Sequence, residues 1–113
     1  MTDIRIPFLM ETIAVLLIHI VRISLLIDKR GHKDSNGIAI GGAYTCMIGA
    51  LAPLSGGCLN PARAIGPIFF MDKIASNKQF VLAAAPFLGT YLAMLVYKRF
   101  LMSDELEDEL DEL

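Results

Sequence analysis

The 113 residues of this chain suffice for one domain, but 55% of them are hydrophobic, and the mean hydropathy of +0.57 excludes an ordinary soluble domain. The net charge of −2 conceals a segregation, because residues 104–113 hold seven of the twelve acidic residues and leave a basic remainder. Two cysteines, Cys46 and Cys58, provide neither a disulfide framework nor the spacing of a metal site.

The first apolar run, residues 8–28, has the length of a helix that crosses a hydrocarbon core of about 30 Å. The residues before it lack the basic region and cleavage site of a signal peptide, so we expect the run to remain as a membrane span. It contains Glu11, His19 and Arg22, which we expect to face a protein interior because charged side chains are costly in lipid. For His19, packing within the helix bundle is favoured over a role as a proton relay or pore residue.

The second apolar run, residues 37–54, follows a polar loop and is predicted to be the second span. It is rich in glycine and alanine, and Gly37 and Gly41 have the spacing that permits close contact between membrane helices. We interpret this spacing as helix packing.

The stretch SGGCLNPAR, from Ser55 to Arg63, turns the chain, and Pro61 suits the first position of a helix. The predicted helix over residues 60–70 is too short to span a membrane, so we expect a re-entrant or interfacial segment that Asp72 and Lys73 close. Irregular backbone at this depth is tolerated only where protein or a water-filled cavity surrounds it.

The third apolar run, residues 79–101, is predicted to be the last span, with a kink at Pro86. Small residues recur every fourth position and predict a packing stripe, formed by Ala85, Gly89 and Ala93. Tyr91 and Tyr97 are candidates for anchors at the membrane interface.

Residues 102–113 form an acidic tail with leucines at positions 106, 110 and 113. A solvated tail is favoured over a partner-binding helix, and its LDEL ending lacks the basic or histidine residue of a retention signal. The first loop and the end of the third span lie on the same side of the membrane and together carry five lysines and arginines, against three on the other side. This bias predicts a cytoplasmic C-terminus.

The string SGGCLNPARAIGPIFF resembles the second NPA box of the aquaporin and glycerol-facilitator, or major intrinsic protein, family. Eight positions fit the family pattern: Ser55, Gly56, Asn60, Pro61, Ala62, Arg63, Gly66 and Pro67. The resemblance covers residues 7–101 and implies an all-α membrane protein with three transmembrane helices and one re-entrant half-helix. That is one of the two inverted repeats of the family, and the other repeat, with its own NPA box, is absent from this sequence.

The resemblance also implies a passive pore for water or small uncharged solutes, with roles for particular residues. The pore motif would be Asn60, Pro61 and Ala62, and the selectivity filter Ile48, Gly57 and Arg63. The backbone of the approach, at Gly56, Cys58 and Leu59, would line the pore wall, and Glu11 would be the buried acid that braces the turn. Ile48 and Ala64 differ from residues typical of water channels and glycerol facilitators respectively, so the solute stays open.

One half-helix builds only half of a pore wall, and three interpretations follow. The chain is a fragment of a full channel, or it pairs with a complementary half, or it is a non-conducting structural subunit of a membrane complex. We also expect membrane lipid and water or a small neutral solute as partners, and an oligomeric state. The sequence contains no nucleophile–base pair, phosphate loop or metal cluster, so we expect no enzyme activity, no cofactor and no nucleic-acid partner.

Overall fold

The computed structural model describes residues 3–31, 33–102 and 104–112. Five α-helices occupy most of them: α1 (Arg5–Leu26), α2 (Asn36–Ser55), α3 (Pro61–Ile65), α4 (Lys73–Val96) and α5 (Asp104–Asp111). Short 3₁₀ segments cover Lys33–Ser35 and Gly66–Phe70, and a π-helical turn covers Tyr97–Leu101. Within these described residues there is no β-strand, which confirms the predicted all-α class.

Three helices are long and apolar enough to cross a membrane: Arg5–Leu26, Asn36–Ser55 and Lys73–Leu101. The first two lie within a few residues of the predicted spans, whereas the third begins at Lys73 rather than at residue 79. The cause is a helix cap, because Asp72 Oδ1 accepts a hydrogen bond of 2.8 Å from the Ala75 N–H. Asp72 therefore caps the third span as well as following the half-helix, and the span begins six residues before the predicted position.

Helix α1 lies against both α2 and α4, and its contact with α4 is the most extensive in the fold. Ala85 and Ala93 of α4 are fully buried there, with no measurable exposed surface. A Cβ at Gly89 would lie 2.6 Å from the Thr12 carbonyl oxygen and 2.9 Å from Val15 Cβ. The predicted stripe of small residues is confirmed, since it allows the two helix backbones to approach closely.

Helix α2 has most of its surface free of contacts with the rest of the chain, and Leu51 is its one buried side chain among the described residues. A Cβ added at Gly37 or Gly41 would meet no atom within 4 Å. The close packing predicted for this pair is therefore not made within the chain. Large apolar side chains are also exposed on α1 and α4, as expected of helices that face lipid or other membrane helices.

At the far end of α1, Asp28 ties the α1–α2 loop to the end of α4. Tyr97 donates a hydrogen bond of 2.5 Å to Asp28 Oδ2, and Arg30 forms an ion pair of 2.7 Å with the same oxygen. Arg30 Nη2 also donates to the Leu101 carbonyl at 2.5 Å. We call Asp28, Arg30 and Tyr97 the loop clamp.

The loop clamp changes the interpretation of both tyrosines and of the charges around them. Tyr97 is only 4% exposed, so it is not the interface anchor that was predicted, whereas Tyr91 is exposed. Arg30 and then Tyr97, by hydrogen bonds, hold the pKa of the Asp28 carboxyl well below its usual range. Asp28 in turn raises the pKa of the Arg30 guanidinium.

The acidic tail is helical over Asp104–Asp111. The predicted leucine stripe lies outside the residues whose side chains the structure describes.

Candidate functional site

The stretch that turns the chain after α2 uses backbone conformations that most residues avoid. Gly56 ends α2 with φ +90°, and Gly57 follows with φ +59°. Leu59 also has a positive φ of +52°, which costs a residue with a side chain about 1–2 kcal/mol. Leu59 is nevertheless buried, at 5% exposed, so contacts elsewhere must hold it in place.

Glu11 of α1 supplies those contacts through both of its carboxylate oxygens. Its Oε1 accepts hydrogen bonds from the Cys58 N–H at 2.9 Å and from the Ser55 hydroxyl at 2.5 Å. Its Oε2 accepts one from the Leu59 N–H at 2.7 Å. Glu11 is 1% exposed, so the three donors compensate a carboxylate that water does not reach.

Ser55 adds a second layer to this arrangement. While its hydroxyl proton goes to Glu11, its oxygen accepts a hydrogen bond of 3.3 Å from the Gly57 N–H. Through Ser55, three consecutive N–H groups, those of residues 57–59, are satisfied directly or indirectly by Glu11. We call Glu11 and Ser55, with these N–H groups, the turn brace.

Gly57 allows the turn to lie directly against α2. A Cβ at this position would be 3.0 Å from the Ile48 carbonyl oxygen and 3.2 Å from Ile48 Cα. The guanidinium of Arg63 also lies beside Gly57, with its Nη1 at 3.4 Å from the Gly57 carbonyl oxygen. The three residues predicted for a selectivity filter, Ile48, Gly57 and Arg63, are thus neighbours around one glycine.

Asn60 caps α3 with its own side chain. Its backbone is extended, and its Oδ1 accepts a hydrogen bond of 2.9 Å from the Ala62 N–H, with Pro61 at the first helical position. Because the side-chain oxygen is used for the cap, the amide NH₂ group stays available as a donor. Asn60 and Ala62 are exposed, whereas Ala64, at 1% exposed, anchors α3.

Cys58 is half-buried, and its Sγ lies 3.5 Å from the Asn60 carbonyl oxygen. The hydrogen bond from the Ser55 hydroxyl to Glu11 was not predicted from the sequence, where Ser55 was only a position of the motif. The left-handed Leu59 was missed as well, because no sequence signal marks a leucine in that conformation.

His19 and Arg22 lie further along α1, beyond the turn brace. His19 is half-buried, and its Nδ1 lies 2.9 Å from the Val15 carbonyl oxygen, so this nitrogen carries the proton and donates. Its Nε2 lies 3.4 Å from Thr90 Oγ1 on α4, consistent with the predicted packing within the bundle. Arg22 is exposed in this chain, contrary to the prediction that it faces a protein interior.

A family model described as "Major intrinsic protein" matches residues 3–97, which is most of the chain. This chain belongs to the major intrinsic protein family. The family is a family of channels rather than enzymes, and together with the three apolar helices it makes this an integral membrane protein.

Individual relatives agree with this assignment. "Aquaporin NIP4-1" of rice (Oryza sativa subsp. japonica) is 34% identical over 91 residues, which cover 80% of this chain and 31% of the relative. "Glycerol uptake facilitator protein-like 6" of Lactiplantibacillus plantarum is 34% identical over 86 residues, which cover 76% of this chain and 40% of the relative. "Aquaporin AqpM" of Methanothermobacter marburgensis is 32% identical over 94 residues, covering 80% and 38%.

The aligned part of this major intrinsic protein therefore spans about a third to two fifths of each relative's length. A comparison with solved structures found no significant match.

Proposed function

We propose that residues 7–101 form one half of a membrane channel that conducts water or small uncharged solutes through an NPA-type pore. The observation that carries this proposal is the turn brace, in which Glu11 holds a re-entrant turn that ends in the Asn60 cap. A buried carboxylate with three donors holds the turn at a defined depth, which a pore constriction requires. The family and its aquaporin relatives support a channel.

In this proposal Asn60, Pro61 and Ala62 form the pore motif. The Asn60 amide donates a hydrogen bond to the passing solute, because its own oxygen is held by the Ala62 N–H. The backbone carbonyls of Gly56, Cys58 and Leu59 supply acceptors along the wall. A water molecule then crosses by exchanging one hydrogen bond for the next, without a large desolvation cost.

The selectivity filter is proposed to consist of Ile48, Gly57 and Arg63. Gly57 contributes only backbone to this ring, because the place of its missing side chain is occupied by the backbone of Ile48. Arg63 contributes a fixed positive charge and several donors, which disfavour cations and orient solutes that carry acceptor oxygens. We propose that such a ring admits water or small uncharged solutes.

The remaining pore wall is proposed to come from a complementary half, either a further segment of a longer chain or a separate chain. The exposed face of α2, with open space around Gly37 and Gly41, is a suitable contact for it. The same exposed face also favours the second candidate, a non-conducting structural subunit of a membrane complex. We propose further that the C-terminus is cytoplasmic, from the distribution of lysine and arginine.

Swelling of proteoliposomes that contain the purified chain, alone and with candidate complementary halves, tests the channel directly. We expect water or glycerol flux above that of empty vesicles once the pore is complete. In a conducting sample, Arg63→Val should raise cation leak or change the ratio of water to glycerol flux. Arg5→Val is the matched control, because Arg5 is an exposed arginine at the start of α1.

Two results would count against the proposal. If no combination swells faster than empty vesicles, the structural-subunit function is favoured. If Arg63→Val and Arg5→Val conduct with the same selectivity, the filter assignment is wrong even though the channel stands.

A further inference from the structure

A recess of about 230 Å³ opens beside Asn60, and its polar lining comes from four parts of the fold. The polar side chains that line it are His19, Arg22, Tyr44, Asn60 and Thr90. None of the described residues that line the recess is acidic, and its one permanent charge is the guanidinium of Arg22. The recess is therefore electropositive and rich in donors.

Arg22 and Arg63 lie on opposite sides of Asn60. Arg22 follows Glu11 by eleven positions, or about 16 Å along α1, and so lies beyond the turn that Glu11 binds, towards Asp28. Arg63 belongs to α3, which leads from Asn60 back to the start of α4. A second pocket, lined by Ile4, Met71 and Ala75 among others, places that start of α4 beside the start of α1.

Two of the polar side chains around the recess, those of Arg22 and Asn60, have donors that no described residue uses. Arg22 makes no hydrogen bond or ion pair with any residue in the described part of the chain, and it is exposed. The Asn60 NH₂ group is free because the cap uses only its oxygen. Thr90 donates instead to the Pro86 carbonyl at 2.8 Å, and His19 Nδ1 donates to the Val15 carbonyl. These two side chains line the recess in fixed orientations.

We propose that this recess is a binding site for a small monovalent oxyanion, held by the guanidinium of Arg22 and the amide of Asn60. A guanidinium offers paired N–H groups that match two oxygens of a planar oxyanion, and it stays charged at any physiological pH. The site depends on the proposed function only in sharing Asn60 with the solute path. It can be tested by binding, without any flux.

Nitrate is the probe, because it is planar, monovalent and unprotonated near neutral pH. We expect it to bind the detergent-purified chain saturably in calorimetric titration, and more tightly than chloride at equal ionic strength. Arg22→Gln should weaken nitrate binding about tenfold or more, as for loss of a charge-assisted hydrogen-bonding partner. The nitrate affinity of Arg22→Lys should lie between those of the unmodified chain and Arg22→Gln, because lysine keeps the charge but lacks the paired N–H groups of the guanidinium. Arg5→Gln is the matched control and should bind as the unmodified chain does.

Asn60→Asp provides a second arm from the other wall of the recess. Its carboxylate still accepts the Ala62 N–H and so keeps the cap, but it places a negative charge beside the anion, and nitrate binding should be lost. Absence of saturable nitrate binding to the unmodified chain would overturn the site, as would equal binding by Arg22→Gln and Arg5→Gln. Swelling assays on the same samples report the channel separately, so failure of either proposal is seen without the other.

Discussion

Two buried carboxylates, Glu11 in α1 and Asp28 just beyond its end, join distant parts of the chain by different means. Glu11 accepts hydrogen bonds from two backbone N–H groups and one hydroxyl, on residues 44 to 48 positions away. Asp28 is paired with a guanidinium and with the Tyr97 hydroxyl, 69 positions away. Both are almost inaccessible, at 1% and 2% exposed.

The difference follows from depth and from what each carboxylate holds. The turn brace lies within the membrane-spanning part of the fold. Its donors are neutral, two backbone N–H groups and the Ser55 hydroxyl, and they meet Glu11 only if the turn has one particular shape. The loop clamp lies at the end of the spans, where Arg30 can reach both Asp28 and water. The turn brace, whose donors are mostly backbone N–H groups, specifies the conformation of a segment. The loop clamp, which is made mostly of side chains, specifies which segments are neighbours.

The largest expected effect comes from Glu11→Gln. The amide places an NH₂ group where a carboxylate oxygen accepted a backbone N–H, and one buried donor left unpaired costs about 1–3 kcal/mol. We expect the turn to open locally and Cys58 to react with a maleimide in detergent about tenfold faster, the factor for about 1.4 kcal/mol. The measurement uses a Cys46→Ser background, because Cys46 is exposed.

Asp3→Asn is the control for the change of an acid to an amide, since Asp3 is exposed and distant in sequence from the turn. The loop clamp should be unaffected in Glu11→Gln, so trypsin cleavage within residues 28–35 should keep its rate. An unchanged rate of Cys58 labelling would show that the turn holds its shape without the brace.

Tyr97→Phe should loosen the loop clamp and spare the turn brace. It removes the hydroxyl that donates to Asp28 while it leaves the ion pair with Arg30 in place. We expect trypsin to cleave the α1–α2 loop about fivefold faster, as for loss of one of several hydrogen bonds to a charged group. Tyr91→Phe is the matched control because Tyr91 is exposed. If Cys58 labelling rose as much as loop cleavage, the two regions would not be independent.

The smallest effect is expected from acid. Because the pKa of folded Asp28 is lower than that of an unfolded aspartate, about 4, its ionised form stabilises the fold above that pH. The contribution should be lost progressively as the pH falls below about 4. The thermal unfolding midpoint in detergent, followed by circular dichroism from pH 7 to pH 2, measures it.

The Asp28→Asn variant separates the contribution of Asp28 to stability from that of the other carboxylates. It should unfold at a lower temperature than the unmodified chain at pH 7, and the gap should narrow below pH 4. Asp34→Asn is the control, a change at an exposed acid of the same loop, and it should unfold at the same temperature as the unmodified chain at each pH. A gap that is constant with pH would mean that the charge of Asp28 does not hold the clamp.

The helices and the motif could be predicted from the sequence, because both depend on local properties. The length of each apolar run sets a span, and Ser55–Arg63 contains its glycines, its cap and its arginine within nine residues. The stripe of Ala85, Gly89 and Ala93 was likewise visible from its spacing. The all-α membrane class and the family resemblance rest on such features, and both are confirmed.

The partners of individual polar groups were decided by the tertiary structure. Glu11 was expected to brace the turn only by resemblance, and nothing in the chain order tells which N–H groups it meets. The burial of Tyr97 against Asp28 and the meeting of Arg22 with Asn60 around one recess depend on how α1 lies against α4. A hydrophobic run is a local property of the sequence, whereas these hydrogen bonds join residues that are far apart in it. Close packing at Gly89 determines which residues of α1 and α4 come within hydrogen-bonding distance.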